Sequence, residues 1–157
     1  MASTTSPDKL NHFIVQAKAA TYVGDGQKTK SSRKGSHDLA FQDGNFLYLD
    51  SYFGGTDFIG QEVVYENDEP VWAMNYYGRI LEPEKITAAE AGQIIKASLS
   101  KLYEEGRFLG GFTHVVGAFS YTDTSQGNPQ SFTGQEWITR DGVKVYELVY
   151  HGGMIKV

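Results

Sequence analysis

The sequence predicts an α+β fold in which two α-plus-antiparallel-β repeats form one sheet or a half-barrel, with two helices packed on it. Three observations predict it: an internal duplication, two amphipathic helix patterns, and turn signals that join short strands into hairpins. The predicted element order is α-ββββ-α-ββββ. We expect a single domain over residues 1–157, with a disordered tail at 1–6, one repeat at about 7–81 and a second at about 86–157.

The duplication relates residues 58–78 to residues 132–152 without a gap, at an offset of 74. Upstream, FLYLDS at 46–51 matches FSYTDT at 119–124. Two related halves usually produce a pseudo-twofold fold, and a ligand often lies where such halves meet. Seven of the 21 aligned positions are identical, namely Phe58/Phe132, Gly60/Gly134, Gln61/Gln135, Glu62/Glu136, Val71/Val145, Tyr76/Tyr150 and Gly78/Gly152.

The first repeat begins with a helix. Ser6 and Pro7 suit the N-cap and first helical position, and apolar residues then recur at helical spacing, which predicts a helix over 7–20. Residues 24–36 are rich in Gly, Ser and Lys and predict a mobile surface loop.

Strand pairs follow in the first repeat. HDLAFQ and NFLYLDSY flank an Asp-Gly turn at 43–44, and FIGQEVVYE and PVWAMNYYG flank a second turn at 67–69. Turns this short make the joined strands antiparallel.

The second repeat opens on a capping box, in which Thr87 caps a helix and Glu90 reaches back to it. An apolar stripe continues to Leu102, and Gly106 suits the position after the helix end. Strands are predicted at about 112–116, 118–123, 132–140 and 143–150, with a short terminal strand as an option at the C-terminal MIKV.

Composition excludes several classes of function. The chain has no cysteine, so disulfides and thiolate chemistry are excluded. The net charge of −5 predicts no direct binding of nucleic acid. No apolar run is long enough to cross a membrane and no signal peptide is visible, so we expect a cytoplasmic protein. No metal-ligand spacing or nucleotide motif is present, so we predict no metal and no cofactor.

Glu62 and Glu136 are the leading candidates for a site. Alternation along the strand places Glu62 on one face with Phe58, Gly60 and Val64, so its carboxylate shares an apolar face. The functional interpretation is a pair of carboxylates in a cleft that binds a cationic or polyhydroxyl ligand. The alternative is that each carboxylate accepts structural hydrogen bonds from a neighbouring turn or an arginine.

Asp50 and Asp123 close the repeated F-x-Y-x-D pattern and are expected to form Asx-type turns that end their strands, with ligand contact as the alternative. Aromatic and polar side chains near Glu62 complete the predicted site. The ligand-binding residues are predicted to be Glu62, Glu136, Asp50, Tyr52, Trp72, Asn75, Tyr77 and His151. We predict no catalytic residue, and we expect Glu62 to contribute more than Glu136 to ligand binding.

The blocks DSYFGGTDFIGQEVVY (50–65) and VWAMNYYG (71–78) resemble a bacterial family known only as a domain of unknown function. Its members resemble stand-alone small proteins or the C-terminal halves of helix-turn-helix regulators. The resemblance extends over most of the chain from Phe13 onward and implies a sensory or ligand-binding role. Duplicated α+β halves are also the plan of effector-binding domains related to the gyrase-inhibitor family, although no motif of that family occurs here.

Three hypotheses follow. The first is a non-enzymatic, sensor-like domain that binds a small molecule, cationic or aromatic, between the two repeats. The second is a small hydrolase or isomerase that uses Glu62 or Glu136 as a general acid/base, with Asp50 or His151 as partner. The third is a homodimeric protein–protein interaction module.

Overall fold

The computed structural model describes residues 5–23 and 27–157 of the chain. Its described elements are two α-helices, a short π-helix and nine strands. They are α1 (Pro7–Lys18), the π-helix (Ala19–Val23), β1 (Gln27–Thr29), β2 (His37–Asp43), β3 (Phe46–Gly54), β4 (Phe58–Glu66), β5 (Glu69–Ile80), α2 (Ala88–Glu104), β6 (Phe112–Val116), β7 (Phe119–Asn128), β8 (Ser131–Arg140) and β9 (Val143–Met154).

All nine strands form one antiparallel, open sheet in the order β1-β2-β3-β4-β5-β9-β8-β7-β6. The prediction of an α+β fold with one sheet is therefore confirmed. Two meanders, β1 to β5 and β6 to β9, meet where β5 pairs with β9, and Tyr76 lies opposite Tyr150 at this seam.

The predicted turns and caps form as the sequence indicates. Asn67 and Asp68 both have positive φ, as do Asp141 and Gly142, which is the backbone of a tight hairpin turn. Thr87 accepts a hydrogen bond from the Glu90 amide at 3.1 Å, and Glu90 accepts one from the Thr87 amide at 3.0 Å. The capping box of α2 is thus confirmed.

The N-terminal region differs from the prediction in two places. Ser6 caps α1 as expected, but the α-helix ends at Lys18 and a π-helix continues the chain. The prediction of a surface loop over 24–36 is wrong at residues 27–29, which pair with β2 as an edge strand. Lys28 lies in this edge strand, and a charged side chain there disfavours pairing of the edge with another molecule. Of the predicted tail, residues 1–4 lie outside the described chain, and Thr5 donates a hydrogen bond to Glu66.

Both helices pack on one face of the sheet, α1 against β2 and β3 and α2 against β6 and β7. The core lies between them and is rich in aromatic rings. Phe13 of α1 stacks on Phe46 with ring centroids 4.9 Å apart, and Trp72 of β5 stacks on Phe132 of β8 at 5.9 Å. Because the helices flank the seam between the meanders, space remains above the central strands.

Candidate functional site

A cavity of about 440 Å³ lies between the sheet and the helices. Its volume falls within the usual range for sites that bind small molecules. The sheet contributes four acidic side chains to its lining, and α2 contributes Ala91, Ile95, Leu99 and Tyr103. The acidic residues are Asp50, Glu62, Asp123 and Glu136, and each is at least nine-tenths buried.

The four carboxylates form two pairs across neighbouring strands. Asp50 of β3 lies opposite Glu62 of β4, and Asp123 of β7 lies opposite Glu136 of β8. We call Asp50 and Glu62 the first acid pair, and Asp123 and Glu136 the second acid pair. The side chains share one face of the sheet because each pair occupies directly opposed positions.

The Asx-turn expectation for Asp50 and Asp123 is wrong. Both residues lie inside strands that continue for several residues beyond them. Tyr76 donates to Asp50 at 2.6 Å, and Tyr150 donates to Asp123 at 2.7 Å. The carboxylates therefore accept hydrogen bonds from tyrosines across the sheet rather than from a local turn.

Glycines make these tyrosine contacts possible. A Cβ built at Gly60 would overlap the Tyr76 hydroxyl, and one built at Gly134 would overlap the Tyr150 ring. The side chain of each tyrosine crosses the glycine on the next strand to reach its aspartate. Two of the identities in the aligned sequences, Gly60/Gly134 and Tyr76/Tyr150, thus have one physical cause.

The first acid pair contacts a buried cation. The Lys18 ammonium lies 2.8 Å from Oε1 of Glu62, and both side chains are almost fully buried. Tyr48 donates to the same oxygen at 2.5 Å, and Tyr22 of the π-helix donates to Oε2 at 3.4 Å. The Lys18 ammonium also faces the Phe108 ring, 5.0 Å from its centroid, which adds a cation–π contact.

The second acid pair is surrounded by hydroxyl groups. Tyr121 and Tyr146 donate to the two oxygens of Glu136, Tyr146 at 3.0 Å. Among the described residues, no lysine, arginine or histidine forms an ion pair with Asp123 or Glu136. This half of the cavity therefore holds buried carboxyl groups whose charge has no partner in contact.

Burial sets the protonation of these groups. Burial and, after it, the neighbouring charge of Glu62 raise the pKa of Asp50 to about 7. Burial likewise raises the pKa of Asp123 to about 7, with Glu136 as the next cause. The pKa of Glu136 is also raised by burial, although the hydroxyls of Tyr121 and Tyr146 and then the charge of Lys18 oppose the shift. Near neutral pH the cavity can therefore exchange protons with a ligand or with solvent.

The structure separates the predicted site residues into three groups. Glu62, Glu136, Asp50 and Tyr52 line the cavity. Trp72 is fully buried beside it and donates from Nε1 to the backbone oxygen of Pro129. The other three, Asn75, Tyr77 and His151, alternate to the opposite face of the sheet and do not line the cavity.

That outer face carries an apolar row. Ile59, Tyr77 and Val149 are adjacent across three strands and are each about half exposed. Asn75 on this face accepts a hydrogen bond from Gln61. The homodimer expected from the sequence stays a prediction.

Sequence reasoning missed several residues of the cavity, including Lys18, Tyr22 and Tyr103. Lys18 follows Ile14 by four positions and so lies on the apolar face of α1. This spacing could have indicated that its side chain is buried. Tyr103 follows Leu99 by four positions on α2 in the same way, but its neighbours in space follow only from the packing of helix on sheet.

Two further features bear on the class of protein. In the described part of the chain, no cluster of three His, Asp or Glu side chains has the geometry of a metal site. Over the same residues, neither helix is long and apolar enough to cross a membrane.

Comparison with known proteins gives a family but no activity. No curated protein and no solved structure matches the chain. A family model does match residues 50–155, a segment that includes both acid pairs and all of α2. The chain belongs to the family described as Domain of unknown function (DUF5680).

Proposed function

We propose that this protein binds a small organic cation in the cavity between its sheet and its helices. The observation that supports this most strongly is the imbalance of buried charge. Four carboxyl groups line the cavity, whereas the buried cation among its described lining residues is Lys18 alone. Lys96 also lines the cavity but is exposed at its edge. A cationic ligand would compensate the charge that the sequence leaves buried.

The remaining lining favours an amphipathic ligand. Ile95 and Leu99 of α2 and Leu148 of β9 face the same space as the carboxyl groups. An apolar body could pack against these side chains while a cationic head reaches the sheet. Such a combination of an apolar wall with a few polar groups is typical of small-molecule sites.

We also infer that the two halves are a true duplication, with the ligand between them. Tyr48 and Tyr121 occupy matched sequence positions and donate to Glu62 and Glu136. The contacts of Tyr76 with Asp50 and of Tyr150 with Asp123 correspond in the same way. The resemblance to C-terminal halves of transcriptional regulators agrees with a sensory role for such a binding domain.

A panel of matched probes tests the proposal. Isothermal titration calorimetry with 2-phenylethylamine and cyclohexylamine should detect binding, and 2-phenylethanol and cyclohexanol should bind at least ten times more weakly. The reason is that a charge-assisted contact is worth about 1.5–3 kcal/mol. Equal binding of amines and alcohols, or no binding of any amine, would contradict the proposal.

A blocking variant locates the bound probe. Gly92 lines the cavity, and a Cβ added there meets no atom within 4 Å, so Gly92→Trp has room to fill the space. We expect Gly92→Trp to abolish amine binding without unfolding the protein. Gln93→Trp is the matched control, because Gln93 is exposed on the same helix and does not line the cavity. Amine binding that survives in Gly92→Trp would place the site elsewhere.

Acid–base catalysis is a second candidate, favoured by the two aspartates whose pKa is raised to about 7. An isomerase of this kind would exchange a proton next to a carbonyl group of its substrate. Mass spectrometry of carbonyl compounds incubated with the protein in deuterium oxide would detect this exchange. Exchange that disappears in Asp123→Asn would favour catalysis over simple binding.

A further inference from the structure

The two acid pairs differ in the protein groups that contact their glutamates. Glu62 in the first acid pair contacts the Lys18 ammonium and the Tyr22 hydroxyl, both of which come from the α1 side. Glu136 in the second acid pair contacts only the hydroxyls of Tyr121 and Tyr146 within the described chain. The glutamate of the first acid pair therefore has a cation in contact, whereas the glutamate of the second has only uncharged hydroxyl partners among its described neighbours.

Tyr103 supplies an independent sign of a ligand. Its side chain is only 8% exposed and lines the cavity from α2. Among the residues that the structure describes, its hydroxyl has no hydrogen-bond partner. Its pKa is raised well above the ordinary value by burial and then by the charges of Glu62, Glu136 and Asp123. The hydroxyl thus lies within electrostatic range of Glu62 and of both carboxyl groups of the second acid pair, and it forms a hydrogen bond with none of them.

We propose that Asp123, Glu136 and the Tyr103 hydroxyl together bind a primary ammonium group of the ligand. This inference rests on the proposed function and adds to it the class of cation and its position. It also reverses the expectation from sequence that Glu62 contributes more to binding, because Lys18 already neutralises that carboxylate.

The chemistry of a primary ammonium fits these three groups. It has three N–H donors and no acceptor, so it can donate to two carboxylates and to a hydroxyl oxygen. A quaternary ammonium has the same charge but no N–H donor, so it could donate no hydrogen bond to the Tyr103 oxygen or to either carboxylate. The site should therefore discriminate between two cations of equal charge.

Calorimetry with two probes and four variants tests this. The probes are 2-phenylethylamine and its N,N,N-trimethyl analogue, and the variants are Asp123→Asn, Asp50→Asn, Glu136→Gln and Tyr103→Phe. We expect Asp123→Asn to weaken binding of 2-phenylethylamine about ten- to a hundredfold, the range for loss of a charge-assisted contact. Asp50→Asn should weaken it less than Asp123→Asn does, because Lys18 already contacts Glu62, the other member of the first acid pair.

The other two variants check the remaining contacts. Glu136→Gln reports on the same pair, so the inference stays testable even if Asp123→Asn does not fold. Tyr103→Phe should weaken binding of the primary amine severalfold without lowering the melting temperature, because the hydroxyl has no partner to lose. The trimethyl analogue should bind wild type at least ten times more weakly than the primary amine.

The outcomes separate this inference from the proposed function. If wild type binds 2-phenylethylamine, and Asp50→Asn rather than Asp123→Asn abolishes that binding, the inference is overturned and the proposed function stands. Equal affinity for the primary and trimethyl probes, with no effect of Tyr103→Phe, also overturns the inference alone. A wild type that binds neither probe overturns both.

Discussion

The first and second acid pairs contain the same residue types, and tyrosines at matched positions donate to them. They differ in the third group around the glutamate. Lys18 contacts Oε1 of Glu62, whereas Tyr146 contacts Oε1 of Glu136. The shared residues belong to the sheet in both halves, whereas a lysine of α1 neutralises buried charge in the first acid pair only.

The difference has energetic consequences. A buried ion pair recovers by Coulomb attraction part of the desolvation cost of its two charges, and removing one partner exposes the full cost of the other. Two hydroxyl donors stabilise a buried carboxylate less than a cation does, which agrees with the raised pKa of Glu136. The first acid pair is therefore expected to matter for stability and the second for binding.

The largest expected effect is the loss of stability when the ion pair between Lys18 and Glu62 is broken. Lys18→Met should lower the free energy of unfolding by about 3–5 kcal/mol, because it leaves the buried Glu62 charge with hydroxyl partners only. Urea denaturation at neutral pH measures this loss. The double variant Lys18→Met/Glu62→Gln should recover most of it, since no unpaired charge then remains buried. A loss below about 1 kcal/mol in the single variant would mean that the ion pair is not a buried one in solution.

A paired substitution tests the comparison itself. Glu62→Gln should cost about 3 kcal/mol, because it leaves the Lys18 ammonium buried and unpaired. Glu136→Gln should cost less than about 1 kcal/mol, because a tyrosine hydroxyl can rotate to accept from the new amide group. Equal losses in the two variants, measured by urea denaturation under one set of conditions, would remove the energetic distinction between the pairs.

The pH dependence of stability is a smaller effect with a definite sign. The pKa of Asp123 is about 7 in the folded protein, above the ordinary value of 3.8, so the folded state binds more protons between these values. The contribution of Asp123 to stability is therefore greatest at acidic pH and falls as pH rises toward 7. Asp123→Asn should remove a slope of up to about 1.4 kcal/mol per pH unit.

Urea denaturation of wild type and Asp123→Asn at pH 5, 6 and 7 isolates that contribution, because other titrating groups cancel in the difference. The stability of wild type relative to the variant should decline as pH rises. A difference that does not change with pH would show that Asp123 has an ordinary pKa in the folded protein.

Local sequence patterns predicted much of the secondary structure because each element has a local cause. The capping box at Thr87 and Glu90 and the paired positive-φ residues at Asn67 and Asp68 act over only a few residues. Period-2 alternation placed Glu62 on the face that proves to be buried. The edge strand at 27–29 was missed because its pairing partner, β2, lies beyond a glycine- and serine-rich segment that has no strand pattern.

The site was predicted less completely because its parts meet only through tertiary packing. Lys18 reaches Glu62 across 44 positions of sequence, and the Tyr103 hydroxyl lies near carboxylates of three strands. Alternation could have separated Asn75 and Tyr77 from the face of Tyr76, since successive strand residues point to opposite sides. The same rule could have favoured Tyr48 and Tyr121, which share a face with Asp50 and Asp123.

The central claim is that a ligand ammonium neutralises the second acid pair, and proton release on binding tests it most directly. Calorimetric titration of 2-phenylethylamine at pH 7, in two buffers of different ionisation enthalpy, gives the number of protons released. Because the pKa of Asp123 is about 7, a bound cation that favours its ionised form should release roughly half a proton. We predict that this release occurs in wild type and disappears in Asp123→Asn. Binding without proton release in wild type, or unchanged release in Asp123→Asn, would contradict the claim.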